Sequence, residues 1–323
     1  MDRPFISSLV WSVALLAAHP TALAQEYPSR PIRVVVPLSP GGGTDIAARV
    51  TGQKLTERWG QQVIVDNRPG AGGTIGAEIV ARAAPDCYTL LVSSPSAVVI
   101  NPWVFPKLPY DPAKDLVPVV MLAPTYYVLI THPSVPVKSV RELIDFARKN
   151  PGKLVLASGG LSAPSDLMGE MFKNLAKVDA VTVQYKGGGQ AIADVIGGQA
   201  SMMFADMIAA APYVGPGRVR LLAVATVKRM PQLPAVPTLI ESSVDYNAIG
   251  WSGMFAPART PPAAVTKLNT ELRGILKLPD VQARLASDGS AFGANTPESL
   301  AAFIKTELAK YATAVKVSGR RLD

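Results

Sequence analysis

Residues 27–49 read YPSRPIRVVVPLSPGGGTDIAAR. The apolar run Ile32–Val36 leads into Pro40-Gly41-Gly42-Gly43-Thr44-Asp45, and a helix-like stretch follows. The order is strand, glycine turn, helix. An unbroken apolar run predicts a strand buried on both faces, not one with a wet face.

The same order recurs along the chain. Asn67-Arg68-Pro69-Gly70-Ala71-Gly72-Gly73-Thr74 follows the run Val63–Val65, and Lys186-Gly187-Gly188-Gly189-Gln190 follows Val181–Tyr185. A smaller turn, Ser158-Gly159-Gly160-Leu161-Ser162, follows Lys153–Ala157. Glycine lets backbone N–H groups approach a ligand with no side chain in the way. The helix behind each turn begins with unpaired N–H groups and a partial positive charge. In α/β folds such turns gather at the carboxyl ends of the strands, where ligands bind. Repeated turns of this kind predict a site for an anion or a polar ligand.

Further apolar runs at Tyr88–Val92, Ser201–Phe204 and Val219–Thr226 read as strands. Ser139-x-x-Glu142 is a capping box that opens a helix over Val140–Lys149, closed by Asn150-Pro151-Gly152. Thr296 followed by Pro297 opens the last helix. Leu300, Phe303, Ile304, Leu308, Tyr311 and Val315 give that helix one apolar face. Strand–helix alternation implies an α/β fold with mainly parallel sheets. Val117–Ile130 and Ile249–Pro257 read as extended connections that cross between two domains. The expected division is a first domain of 25–123 plus 250–323 and a second of 124–249, with a ligand cleft between them.

The chain has 323 residues, 48% hydrophobic and 17% charged, which suits about two globular domains. Arg3, the apolar stretch Phe5–Ala18 and Ala22-Leu23-Ala24 form a secretory signal, so residues 1–24 are expected to be removed after Ala24. No Cys follows to carry a lipid, and the single Cys87 cannot make an internal disulfide, which suits a bacterial periplasm. The net charge of +8 is scattered, without a basic stripe or interleaved aromatics, so nucleic acid is not expected. Two His and one Cys argue against a metal centre or a Cys–His nucleophile pair, and no cofactor is expected.

Nucleotide fingerprints fail. G-x-x-x-x-G-K-[ST] is absent, and G-x-G-x-x-G breaks at Ile46, Ile75 and Ile192. The nucleophile elbow is nearly present at Gly160-Leu161-Ser162-Ala163-Pro164, but its last position is Pro and the one mature His, His132, sits in a loop. Asp45 reads as a base or as a loop staple, and Asp166 and Asp206 as partners for Lys186 or a ligand amine, or as caps. Tyr126, Tyr127 and Trp251 lie near the crossings, as core or as cleft lining.

These motifs, taken in order, resemble the Bug-type extracytoplasmic solute receptors, the TctC-like receptors of tripartite tricarboxylate transporters. The resemblance rests on residues 27–49, on VIVDNRPGAGGTIGAEIVARAAPDCYTLLV (63–92), on VQYKGGGQAIADVIGGQASMMF (183–204), on RLLAVATVKRMPQLPAVPTLIES (220–242) and on GWSGMFAPARTPPAAVTKLN (250–269). It covers nearly the whole mature chain. It implies a two-domain periplasmic binding protein of the Venus-flytrap kind, not an enzyme, that closes on a small carboxylate. Family ligands include di- and tricarboxylates, acidic amino acids, aromatic carboxylates and nicotinate-like compounds, held by backbone amides and ordered water.

Carried onto this chain, the ligand-facing set is Leu38, Ser39, Pro40, Gly41, Gly42 and Asp45 from the first loop and Gly72, Gly73 and Thr74 from the second. Ser94, Ser158, Ser162, Tyr185, Gly187, Gly188 and Asp206 complete it. The chain departs from the family pattern at Leu38, where an aromatic residue is usual, at Ala163 for Ser, at Asp166 for His, and at Ala205, with Asp206 one position late. The partners implied are a carboxylate and the permease subunits of a membrane transporter, with the receptor a monomer. A sensor subunit on the same fold, and an exported hydrolase using Ser162 or Asp45, are the alternatives.

Overall fold

The structure is a computed structural model, and residues 27–246, 248–285 and 295–319 are described here. The signal-peptide reading of residues 1–24 lies outside them. The chain order is β1 (Ile32–Val36), α1 (Gly43–Trp59), β2 (Val63–Asn67), α2 (Thr74–Ala81) and β3 (Thr89–Ser93). A π-helical turn at Ser96–Ile100 runs into α3 (Asn101–Val104), then α4 (Pro112–Asp115) and β4 (Leu116–Thr131). Next come α5 (Val140–Lys149), β5 (Val155–Ser158), α6 (Pro164–Ala176), β6 (Val181–Gln184), α7 (Gly188–Ile196), β7 (Met202–Asp206), α8 (Met207–Val214) and β8 (Arg220–Val224). The chain finishes with β9 (Ile249–Pro257), α9 (Pro262–Ile275), α10 (Pro279–Leu285) and α11 (Pro297–Ser318).

The strands form one curled mixed sheet in the order β2-β1-β3-β9-β4-β7-β5-β6, with β8 also on β4. The sequence leads to mainly parallel pairing, and this holds within each lobe's βα units: β1 pairs parallel with β2 and β3, and β5 with β6 and β7. The pairings of β4 and β9 are antiparallel. A crossing strand that returns through the sheet must run against its neighbours, which explains the difference. The expectation of strands buried on both faces fails for β2 and β6, which carry exposed Ile64, Val181 and Val183. Both strands end the sheet and lack a neighbour on one side.

β4 is 16 residues long because it serves both halves. As far as Tyr126 it pairs with β9, and from Tyr127 it pairs with β7. Its β9 register shifts between Pro118 and Val120, where proline lacks the N–H that a ladder needs. Two apolar clusters, one on each face of the sheet, surround β1, β3 and β9, with α1, α9 and α10 on one face and α2, α3 and α11 on the other. Two more surround β5, β7 and β8. The molecule therefore has two lobes joined by β4 and β9.

The caps follow the sequence with one difference. Thr296 and Ser299 form the reciprocal box at α11. At α5 the Ser139 hydroxyl accepts the Glu142 N–H, but the Glu142 carboxylate takes the N–H of Lys138 instead of that of Ser139. The apolar face of α11 packs as its spacing predicts, with Leu300, Phe303, Ile304, Leu308, Tyr311 and Val315 in one cluster.

Candidate functional site

The lobes meet at the carboxyl ends of the strands. There β1, β5 and β6 lead through turns into α1, α6 and α7. The capping positions of these helices are Gly42, Ala163 and Gly187, and none supplies a side-chain cap. Gly43 N–H at the start of α1 goes to Asp206 and Gln190 N–H of α7 to the Ser39 hydroxyl, while α6 begins with Pro164, which has no N–H. α2, α3, α8 and α9 also lack a side-chain cap, whereas α4, α5 and α11 are capped by Asp111, Ser139 and Thr296.

A cavity of about 30 Å³ lies where these ends converge. Leu38, Thr44, Ser94, Ser96 and Tyr127 line it with Gly159, Ala163, Pro164, Ser165, Gly188, Met203, Phe204 and Asp206. Among the described residues the lining is rich in hydroxyls and contains no Lys, Arg or His. Its volume holds about two waters.

Contacts between the lobes are close. Ser39 N–H donates to the Lys186 carbonyl at 3.0 Å, and Gly43 N–H donates to Asp206 Oδ2 at 2.8 Å. A Cβ on Gly189 would collide with the Pro40 carbonyl oxygen, and one on Gly187 with the Ser39 backbone. A Cβ on Gly72 would overlap the Ser162 hydroxyl. Here the glycines serve the approach of backbone to backbone across the cleft.

The structure separates the expected site residues into groups. Leu38, Ser94, Gly188 and Asp206 line the cavity. Ser39, Pro40, Gly41, Gly42 and Gly187 form the lobe–lobe seam beside it, and Gly72 and Ser162 form a second seam. Gly73 packs on Pro37, and the Thr74 hydroxyl accepts from Asn101 Nδ2. Ser158 is buried in a polar knot, its hydroxyl 3.0 Å from Asp166 Oδ1 and 2.9 Å from Gln184 Oε1.

Two further residues also stand apart from the cavity. Tyr185 directs its hydroxyl to Asp194 at 2.6 Å. Asp45 is the loop staple that was one of its two readings: Oδ2 accepts Gly41 N–H and Arg49 Nε, and Oδ1 accepts Asn67 Nδ2. Thr44, Ser96, Tyr127 and Ser165 were not in the expected set. The serines behind β3, at positions 93, 94 and 96, were legible as a polar turn after an apolar strand. Nothing local to Tyr127 distinguishes cavity lining from core.

Asp206 carries the electrostatics. It closes β7, directly opposite Tyr127, where β4 changes partners. Burial pushes its carboxyl up to about 6, partly opposed by the Gly43 N–H. Burial also raises the Tyr127 phenol well above its ordinary value, and the nearby Asp206 charge adds to this.

A larger cavity of about 660 Å³ opens on the outer face of the first lobe, between residues 98–118 and α11. Among the described residues its lining is apolar apart from Tyr110, Asp111 and Lys305, and it holds none of the glycine turns.

Comparison with known proteins agrees with this geometry. Residues 47–319 match the model of the TctC family, the tripartite tricarboxylate transporter family receptor. The chain is 35% identical to protein BugT of Bordetella pertussis over 301 residues, 93% of this chain and 92% of that protein. A solved periplasmic transporter superposes with a TM-score of 0.86 at 39% identity, over 92% of this chain and 100% of that one. MatC of Rhodopseudomonas palustris, solved with bound malate, gives 0.83 at 32% identity over 90% and 100%. The family and these neighbours are solute-binding receptors, not enzymes. The chain belongs to the TctC family of tripartite tricarboxylate transporter receptors, as a Bug-type member.

Proposed function

We propose that this protein captures a small carboxylate in the cavity between its lobes and delivers it to the membrane subunits of a tripartite transporter. One observation carries the reading. The starts of α1, α6 and α7, none with a side-chain cap, converge on one hydroxyl-lined cavity that has contributions from both lobes. Helix N-termini and hydroxyls stabilise a carboxylate without a cationic side chain. The bound malate of MatC supports the same class of ligand for this chain.

In this reading residues 25–123 and 250–323 form one domain and 124–249 the other. β4 and β9 act as the hinge. A ligand that touches both domains favours the closed form by its higher affinity for that form. The chain works as a periplasmic monomer after removal of residues 1–24, and the permease reads the closed shape.

The test is a thermal-shift screen of the processed protein against small carboxylates and their matched amides. A ligand at 100 times its Kd adds about 2.7 kcal/mol of stability. The reading predicts a shift of several degrees with one carboxylate and none with its amide. Equal shifts for acid and amide would remove the carboxylate from the function.

A further inference from the structure

The cavity contains a charge without an opposite. Asp206 Oδ2 accepts one backbone N–H, from Gly43, but Oδ1 is buried and has no hydrogen-bond partner. Gly43 N–H, Tyr127 and Gly188 are the groups that face this carboxylate from α1, β4 and α7. Among the described residues no Lys, Arg or His lines the space in front of it. Lys186, the nearest cation in sequence on the facing loop, is exposed.

A buried carboxylate without a counter-charge is costly, and a second carboxylate placed beside it increases the cost. The hydroxyls of Thr44, Ser94, Ser96 and Ser165 and the starts of α6 and α7 line the rest of the cavity. One part of the site therefore suits an anion, and the other presents an acceptor that lacks a donor.

We infer that the ligand is a zwitterion, with a cationic N–H group on Asp206 Oδ1 and its carboxylate among the hydroxyls and helix starts. This rests on the carboxylate reading above and narrows it: Asp206 selects amine-bearing carboxylates over amine-free ones. A carboxyl that titrates at about 6 is ionised at pH 7.5, as the pairing requires.

The experiment titrates the processed full-length chain at pH 7.5 with matched pairs. These are L-aspartate and succinate, L-glutamate and glutarate, γ-aminobutyrate and butyrate, and the other proteinogenic amino acids with their des-amino acids. Expected is at least thirtyfold tighter binding of the amine-bearing member in the pair whose skeleton fits. Asp206→Asn should weaken that member at least tenfold and remove its advantage, with circular dichroism unchanged. Asp206→Ser repeats the test if the Asn variant misfolds, and the wild-type pair comparison stands without either.

Equal or tighter binding of succinate, glutarate or another amine-free acid by the wild type would overturn the zwitterion and leave the carboxylate reading in place. So would an Asp206→Asn protein that keeps the preference. Loss of both readings would need a different result, no binding by any carboxylate of either kind.

Discussion

The Gly43 N–H of one lobe donates to Asp206 Oδ2 of the other at 2.8 Å, so the start of α1 holds a carboxylate supplied by the protein itself. A helix start attracts an anion; Gly42 at the cap of α1 offers no side chain to Gly43 N–H, and the first-turn carboxylate Asp45 is turned to Gly41, Arg49 and Asn67. The contact places an acidic group in the cleft and ties one lobe to the other.

Asp206 should make stability depend on pH. Its folded pKa, about 6, lies above the ordinary value of 3.8, so the folded protein holds the proton more tightly than the unfolded chain. Stability from this group is present below pH 4, falls as pH rises from about 4 through about 6 by up to about 3 kcal/mol, and is level above that. Asp206→Asn should flatten that part of a urea-denaturation profile. Wild-type and Asp206→Asn profiles that run parallel between pH 4 and 6 would contradict the assignment.

Gly189 should control closure. It lies in the first turn of α7, and any Cβ there meets the Pro40 carbonyl across the cleft. Gly189→Val should leave each lobe folded and hold the lobes apart. Small-angle scattering should show a larger radius of gyration than wild type, and affinity for the best carboxylate should fall at least about tenfold, or 1.4 kcal/mol. An unchanged radius with unchanged affinity would mean that the seam is not part of the working closed state.

Asp45 should act on stability. Its carboxylate is 3% exposed and is occupied by Gly41, Arg49 and Asn67. Asp45→Ala should cost about 2–3 kcal/mol, because buried donors lose a charged acceptor. Chemical denaturation measures this. Lost affinity at unchanged stability would make Asp45 a ligand contact instead.

Trp251 should couple the hinge to the last helix. Its indole N–H donates to the buried Glu307 Oε2 at 3.0 Å, and Lys310 holds the other oxygen. Trp251→Phe keeps most of the apolar contact and removes the donor, so it should cost about 1–3 kcal/mol. A smaller change would show that the Lys310 contact alone satisfies Glu307.

Much of this architecture is legible in the sequence. Ile32–Val36 and Ile249–Pro257 are strands with the bounds that their apolarity implies, and Val140–Lys149 is a helix between its two signals. The cleft is legible as well, because glycine turns after apolar strands mark where backbone comes close to something else. What it comes close to is less legible. Gly187 and Gly189 read as cradles for a ligand, yet they make room for Ser39 and Pro40 of the other lobe. A glycine shows that space is required but not which group occupies it. Tyr127 read as core or as cleft lining, and the choice stayed open for a related reason: its place comes from the change of partner along β4, a long-range property that no local pattern encodes.

Isothermal titration of the best carboxylate and its primary amide, on wild type and on Gly189→Val, tests the central claim most directly. The account predicts one site per chain, the acid at least about a hundredfold tighter than the amide, and a marked loss in Gly189→Val. Equal affinity for acid and amide, or full affinity in Gly189→Val, would contradict carboxylate capture between closing lobes.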